Sequence, residues 1–206
     1  MNEKELYAIP ADDKSIHNSV KSLNENGIKA LVAETAADAK EMVFKMLPKG
    51  AEIMTMTSVT LDEIGVSREI NENGEYESVR SKLASMNKET HGLEMQKMGA
   101  APDWTIGSVH AVTEDGKVLI ASATGSQLPA YAYGSNHVIW VVGAQKIVKD
   151  LDDALKRVYE YVFPLENERA MKAYGIGSGV NKLLTISKEA TPGRITMIIV
   201  KEKLGF

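Results

Sequence analysis

Residues 107–148, GSVHAVTEDGKVLIASATGSQLPAYAYGSNHVIWVVGAQKIV, constrain the fold more than any other stretch of the chain. Three apolar, strand-like runs lie in or across it: Trp104 to Thr113, Lys117 to Ser122 and His137 to Val142. Long charged side chains are scarce until its end. Runs of this kind belong to strands buried on both faces rather than to a surface hairpin. Glu114-Asp115-Gly116 joins the first two, and Asp-Gly favours a tight hairpin. Ala123-Thr124-Gly125-Ser126 is a small-residue loop, and Gln127 to Tyr133 suits a short helix with Pro129 near its start.

The flanking sequence alternates helix and strand signals. Asp12 and Asp13 can cap a helix over about 12–26, with Ile16, Val20 and Leu23 on one face and Asn26-Gly27 at its end. Ile28 to Ala33 reads as a strand. Thr35 caps a second helix with Ala36, Ala39, Val43 and Met46 as its apolar stripe, stopped by Pro48-Lys49-Gly50. Ala51 to Met56 is the next strand. Thr60 and Glu63 have capping-box spacing and start a helix directly after it. Asn71 to Gly74 is a turn, and Glu75 to about Lys88 a helix. Asp150 caps a helix with Leu151, Leu155, Val158 and Val162 inside and Pro164 beyond its end. Leu165 to Ala173 forms another helix, and Ile195 to Val200 a last strand. Residues 91–103 read ambiguously, as a helical turn and a loop, and 174–189 is the least readable segment. The alternation implies an α/β fold with a parallel, doubly wound sheet, as a single domain over 1–206.

The chain of 206 residues is long enough for a large core. It has no cysteine, which removes disulfides, thiolate metal sites and a catalytic thiol, and fits a reducing cytoplasm. A net charge of -4 argues against nucleic-acid binding. No apolar run approaches membrane-span length, and the charged start MNEKELYAIP is unlike a signal peptide.

Several groups are candidates for chemistry. Thr57, Ser58 and Thr60 offer hydroxyls and free backbone N–H groups after a strand, where open α/β sheets bind anions. The same residues also serve as simple helix caps. No glycines or lysine of a P-loop are present. Glu114 could act as base or nucleophile, or belong to a solvated turn. Gly125 allows close backbone approach by a ligand, with Ser126 and Gln127 beside it. Gly175 to Val180 looks like a dinucleotide loop but follows a helix, which marks it as a surface loop. His17, His91, His110 and His137 lack metal-ligand spacing, so no metal is expected. Among Arg157, Arg169 and Arg194, one could pair with a ligand phosphate or carboxylate.

The residues of the opening stretch, with Ser58 to Gly65, Pro192 to Val200 and Leu204-Gly205-Phe206, resemble the lactate-utilisation (LUD) domain family over most of the chain. The resemblance implies a Rossmann-like α/β sheet with helices on both faces, similar to the superfamily of glucosamine-phosphate deaminase, ribose-phosphate isomerase and CoA transferases. It implies a role in the use of lactate or a related small organic acid, with a small anionic metabolite bound and iron–sulfur proteins as partner subunits. It names no cofactor, and leaves open a homo-oligomer, a non-catalytic subunit docking to an iron–sulfur redox partner, and a CoA-transferase-like or sugar-phosphate isomerase-like enzyme. In CoA transferases a nucleophilic Glu lies in a Glu-Asn-Gly turn, which Glu114-Asp115-Gly116 resembles. The superfamily's phosphate or acyl-carrier loop corresponds to Thr57 to Thr60. The cysteine-rich segment of similar proteins is replaced here by Ala173 to Ile186, so no metal or redox role is carried over.

Overall fold

Strands and helices follow one another as the apolar pattern implies. The computed structural model describes residues 3–206. Met1 and Asn2, which begin the charged N-terminal stretch, lie outside the described residues. In chain order the elements are α1 (Glu3–Leu6), α2 (Asp13–Glu25), β1 (Lys29–Ala33), α3 (Ala36–Met46), β2 (Glu52–Thr55), α4 (Val59–Glu63), α5 (Val66–Glu72) and the two-residue β3 (Glu77–Ser78). Then come α6 (Val79–Ser85), α7 (Lys88–Ala100), β4 (Trp104–Gly107), β5 (Ala111–Thr113), β6 (Val118–Ser122), β7 (His137–Gly143) and β8 (Ile147–Val148). The chain ends with α8 (Leu151–Lys156), α9 (Phe163–Tyr174), β9 (Lys182–Ile186) and β10 (Ile195–Val200).

The central sheet has six strands in the order β1-β10-β7-β4-β2-β3. Every neighbouring pair is parallel, which makes the fold Rossmann-like. β7 shows why its sequence is apolar throughout. Val138, Trp140 and Val142 enter one core with Ile16 and Leu23 of α2. Ile139 and Val141 enter another with Ala39 and Val43 of α3 and Val66 and Ile70 of α5. Successive side chains point to opposite faces, so a strand covered on both sides has no polar position. Each fully buried aliphatic side chain here contributes roughly 1.5–3 kcal/mol.

A second sheet of four strands, β8-β5-β6-β9, packs into the same core as Trp140 through Val112, Val118, Ile120 and Ile186. The sequence pattern shows Trp104 to Thr113 as one strand. In the structure it leaves the central sheet at Gly107, crosses Ser108-Val109-His110 and enters the second sheet at Ala111. A Cβ on Gly107 would collide with the Tyr131 hydroxyl, so the close packing at this exit needs glycine. β7 does the same: it ends at Gly143, and Ala144-Gln145-Lys146 carries the chain into β8. β4 and β7 are neighbours, and so are β5 and β8. Two strand pairs therefore cross side by side from one sheet to the other, and their crossing segments line a seam.

Other boundaries shift for identifiable reasons. The helix expected from Glu75 begins only at Val79, because Glu77 and Ser78 pair with β2. Residues 91–103 are mostly helical, in α7, although none of its residues is buried and His91 breaks its geometry. The helix starting at Asp150 does not stop before Pro164. A π-helical turn, Arg157–Val162, carries it into α9, where Pro164 occupies a first-turn position that needs no N–H donor. The unreadable 174–189 segment contains β9, in which Lys182, Leu183 and Thr185 are exposed and Ile186 alone is buried. No helix is long and apolar enough to cross a membrane among the described residues.

Candidate functional site

Of three parallel strands, β2 and β4 end side by side, with Thr55 opposite Ile106 and Gly107 opposite Trp140, and β7 runs on to Gly143. The residues that follow them converge on the amine of Lys146. This lysine sits on the crossing from β7 to β8 and is only 3% exposed. Its Nζ donates to Thr60 Oγ1 at 3.0 Å and to Ser108 Oγ at 3.1 Å. The Thr60 hydroxyl in turn donates to the Leu204 carbonyl at 3.2 Å. Gln145, one residue before the lysine, grips the same tail segment, its Nε2 donating to Leu204 O at 2.8 Å and its Oε1 accepting from Leu204 N–H at 3.3 Å. The Gly205 N–H donates to Glu63 at 2.6 Å.

The seam is rich in basic groups and poor in acids. Arg157 is fully buried and donates to the carbonyls of Gln145 (3.3 Å), His110 and Tyr7 (3.5 Å). It thus pins both crossing segments. Among the described residues no carboxylate lies within ion-pair distance of Lys146 or Arg157. Burial pushes Lys146 down from its ordinary value to about 7; the Arg157 charge adds to this and Glu63 opposes it. Burial also lowers Arg157, to about 10. His110 is pushed down to about 3 by burial and by the charges of Lys146 and Arg157. Its Nδ1 accepts the Ala121 N–H at 3.1 Å, which leaves the ring proton on Nε2. Tyr131 reaches the Ser108 carbonyl at 3.4 Å and stacks edge-on against Trp140, and burial raises its hydroxyl pKa.

Of the hydroxyls expected after β2, the structure brings one to the amine. The capping box expected from Thr60 and Glu63 is not formed. Helix α4 starts at Val59, and Ser58 caps it by accepting the Leu61 N–H at 3.3 Å. Thr60 then lies in the first turn with its hydroxyl free for Lys146, and Glu63 is free for Gly205. Thr57 is exposed and accepts from Arg80 at 3.1 Å. Arg80 also donates to the Thr55 carbonyl at 2.8 Å, and burial lowers its pKa while Asp62 opposes the shift.

The other expected segments make their own contacts. Glu114 accepts from Asn18 of α2 at 3.0 Å and lines a surface cleft with Lys21, Glu25, Asp115 and Lys149. Gly125 donates to Ser122 at 2.8 Å, and Gln127 bonds Ser122 and the Ala121 carbonyl. Ser126 bonds Thr124. Among the described residues no hydrogen bond links these segments to the 57–60 turn, although the 125–127 loop leads into the π-helical turn Ala130–Gly134 that holds Tyr131. Of the three late arginines, Arg194 pairs with Glu189 and Arg169 with Glu166, while Arg157 goes to the seam. Lys146, Ser108 and Arg80 carry no recognisable motif. The signal that points to Lys146 is its place as the one Lys, Arg, Asp or Glu in the apolar run from His137 to Val148. Among the described residues no group of three or more His, Asp or Glu is placed to hold a metal ion.

This is an α/β protein of Rossmann-like architecture with its polar centre at the carboxyl ends of the sheet strands. The LUD domain model matches residues 16–203, and the chain belongs to that family. A crystal structure of a DUF162 family protein from Deinococcus radiodurans is similar in fold, with a TM-score of 0.57 and 12% sequence identity, over 93% of this chain and 99% of that one. A search of curated proteins finds no match.

Proposed function

We propose that the chain serves the use of lactate or a related small organic acid, and that it binds a small anionic or phosphorylated ligand at the loops after the central strands. One observation carries the reading: among the described residues, Lys146 and Arg157 are buried together with no carboxylate in ion-pair range, and the 57–60 turn also holds Arg80. Burying Arg157, and Lys146 when it is protonated, without a counter-charge is costly, and a bound carboxylate or phosphate relieves the cost. Thr57, Ser58 and Thr60 frame the place where the anion would lie, and Arg80 supplies the fork that matches it.

Thermal unfolding in the presence of lactate, pyruvate, inorganic phosphate or coenzyme A tests this. A ligand at 100 times its Kd stabilises by about 2.7 kcal/mol. The shift should disappear in Arg80→Gln and persist in Lys172→Met, a surface control whose lysine pairs with Glu168. Absence of any shift across these anions at millimolar concentration would refute the reading.

A further inference from the structure

We propose that the Lys146 amine is a nucleophile that condenses with a small aldehyde or ketone bearing a carboxylate or phosphate, forming a covalent iminium in the seam. The inference rests on the ligand site proposed above and gives it a chemistry.

The geometry selects the neutral amine. Nζ is held by two hydroxyls, at 3.0 Å and 3.1 Å, neither of which can neutralise an ammonium. Arg157 cannot turn away, since it is tied to three backbone carbonyls, and it repels a second positive charge nearby. A desolvated lysine next to another cation is the arrangement that activates an amine as nucleophile. The hydroxyls are also suitably directed. The Thr60 hydrogen points to Leu204 O, so its oxygen faces Nζ as an acceptor. Ser108 accepts from Nζ with its own hydrogen left to pass on.

In the step itself, the nitrogen lone pair adds to the carbonyl carbon and the C=O π pair moves to oxygen. A proton passes from nitrogen to that oxygen, giving a carbinolamine. Protonation of the carbinolamine hydroxyl expels water as the nitrogen lone pair forms C=N. One amine, one carbonyl and one proton become one iminium and one water, with no oxidant or reductant. Ser108 and Thr60 are the groups in contact with the nitrogen that can carry these protons.

The ligand must be anionic because the iminium stays positive. Beside Arg157 it would be an uncompensated buried charge unless the ligand brings its own anion. Arg80 and Lys146 are bound to the same turn, through Thr57 and Thr60, so that a guanidinium and the amine both border it. Leu204 and Gly205, bonded to Thr60 and Glu63, border the amine and form the segment a ligand would displace.

Reductive trapping tests this. The full chain is incubated with sodium cyanoborohydride and pyruvate, dihydroxyacetone phosphate or acetone, and read by intact mass and peptide mapping. One reduced adduct per chain, on Lys146, is expected with an anionic carbonyl compound, and far less with acetone. Whether pyruvate or the phosphate ester labels faster identifies the anion. Mapping on the wild-type protein needs no variant to fold, and Lys146→Arg should abolish the adduct. Labelling spread evenly over surface lysines would overturn the proposal. So would a thermal shift without any adduct, which would leave anion binding intact and remove only the covalent step.

Discussion

Replacing Lys146 by Met removes the charge, nearly keeps the side-chain length, and so isolates what the buried amine does to the fold. Burial, deepened by Arg157, lowers the amine from its ordinary 10.5 to about 7. Between those values the unfolded chain binds more protons than the folded one, so stability rises with pH across that window. Below about pH 7 both states are protonated, and burying the charge costs its full amount. At ~1.4 kcal/mol per pH unit, that amount is on the order of 5 kcal/mol. The part recovered from pH 6 to pH 9 is about 2–3 kcal/mol. Urea unfolding followed by tryptophan fluorescence reads it directly, since Trp140 is fully buried in the core. Wild type should gain that much on the Met variant between pH 6 and pH 9. Parallel stability curves would show that the amine is not desolvated as the structure implies, and would remove the basis for treating it as the reactive group.

Ser58→Ala should cost ~1 kcal/mol in thermal unfolding, because Ser58 rather than Thr60 caps α4; a neutral effect would restore the Thr60 cap. Gly205 has φ +60°, and a Cβ there would lie 2.5 Å from Thr60 Oγ1. Gly205→Ala should therefore destabilise by about 1–3 kcal/mol and speed hydrogen exchange at that amide; unchanged exchange would mean the tail is held otherwise. His110, lowered to about 3, should stay neutral by NMR at pH 5, and its contribution to stability should be lost as pH falls from the ordinary 6.5 towards 3. A ring that titrates near pH 6 would contradict its burial. Glu114→Gln should stay within ~0.5 kcal/mol of wild type in unfolding, since an amide oxygen can still accept from Asn18.

The central sheet, β3 apart, was legible because strands such as β7 and β10 are apolar almost throughout and its helices carry caps. Asp12 and Thr35 cap where the sequence places them, the latter as a full box with Asp38. The second sheet was not legible. A strand that passes from one buried sheet into another never shows a polar face, so Trp104 to Thr113 looked continuous. The helix through Pro164 was missed because a π-helical turn is a tertiary accommodation, not a local preference. At the site, Thr60 was visible as a hydroxyl beside a strand end, and Arg157 as one of three candidate arginines. Lys146 was hidden because its partners, Thr60 and Ser108, come from distant parts of the chain. A buried amine with no acid in ion-pair range among the described residues is a property of that meeting, and no spacing encodes it.

The position of β10 in the sheet has a consequence for how the molecule is made. Among the described residues β1 has no neighbour in the central sheet other than β10, and β10 also supplies one of the two neighbours of β7. As the chain leaves the ribosome, β1 emerges first and waits, unpaired, for residues 195–200. Until then two apolar strand edges stand open, which is a template for pairing with other nascent chains. A ribosome-bound chain cut short of Ile195 should therefore depend on chaperones, because the last in chain order of the six central strands is the one that closes the sheet.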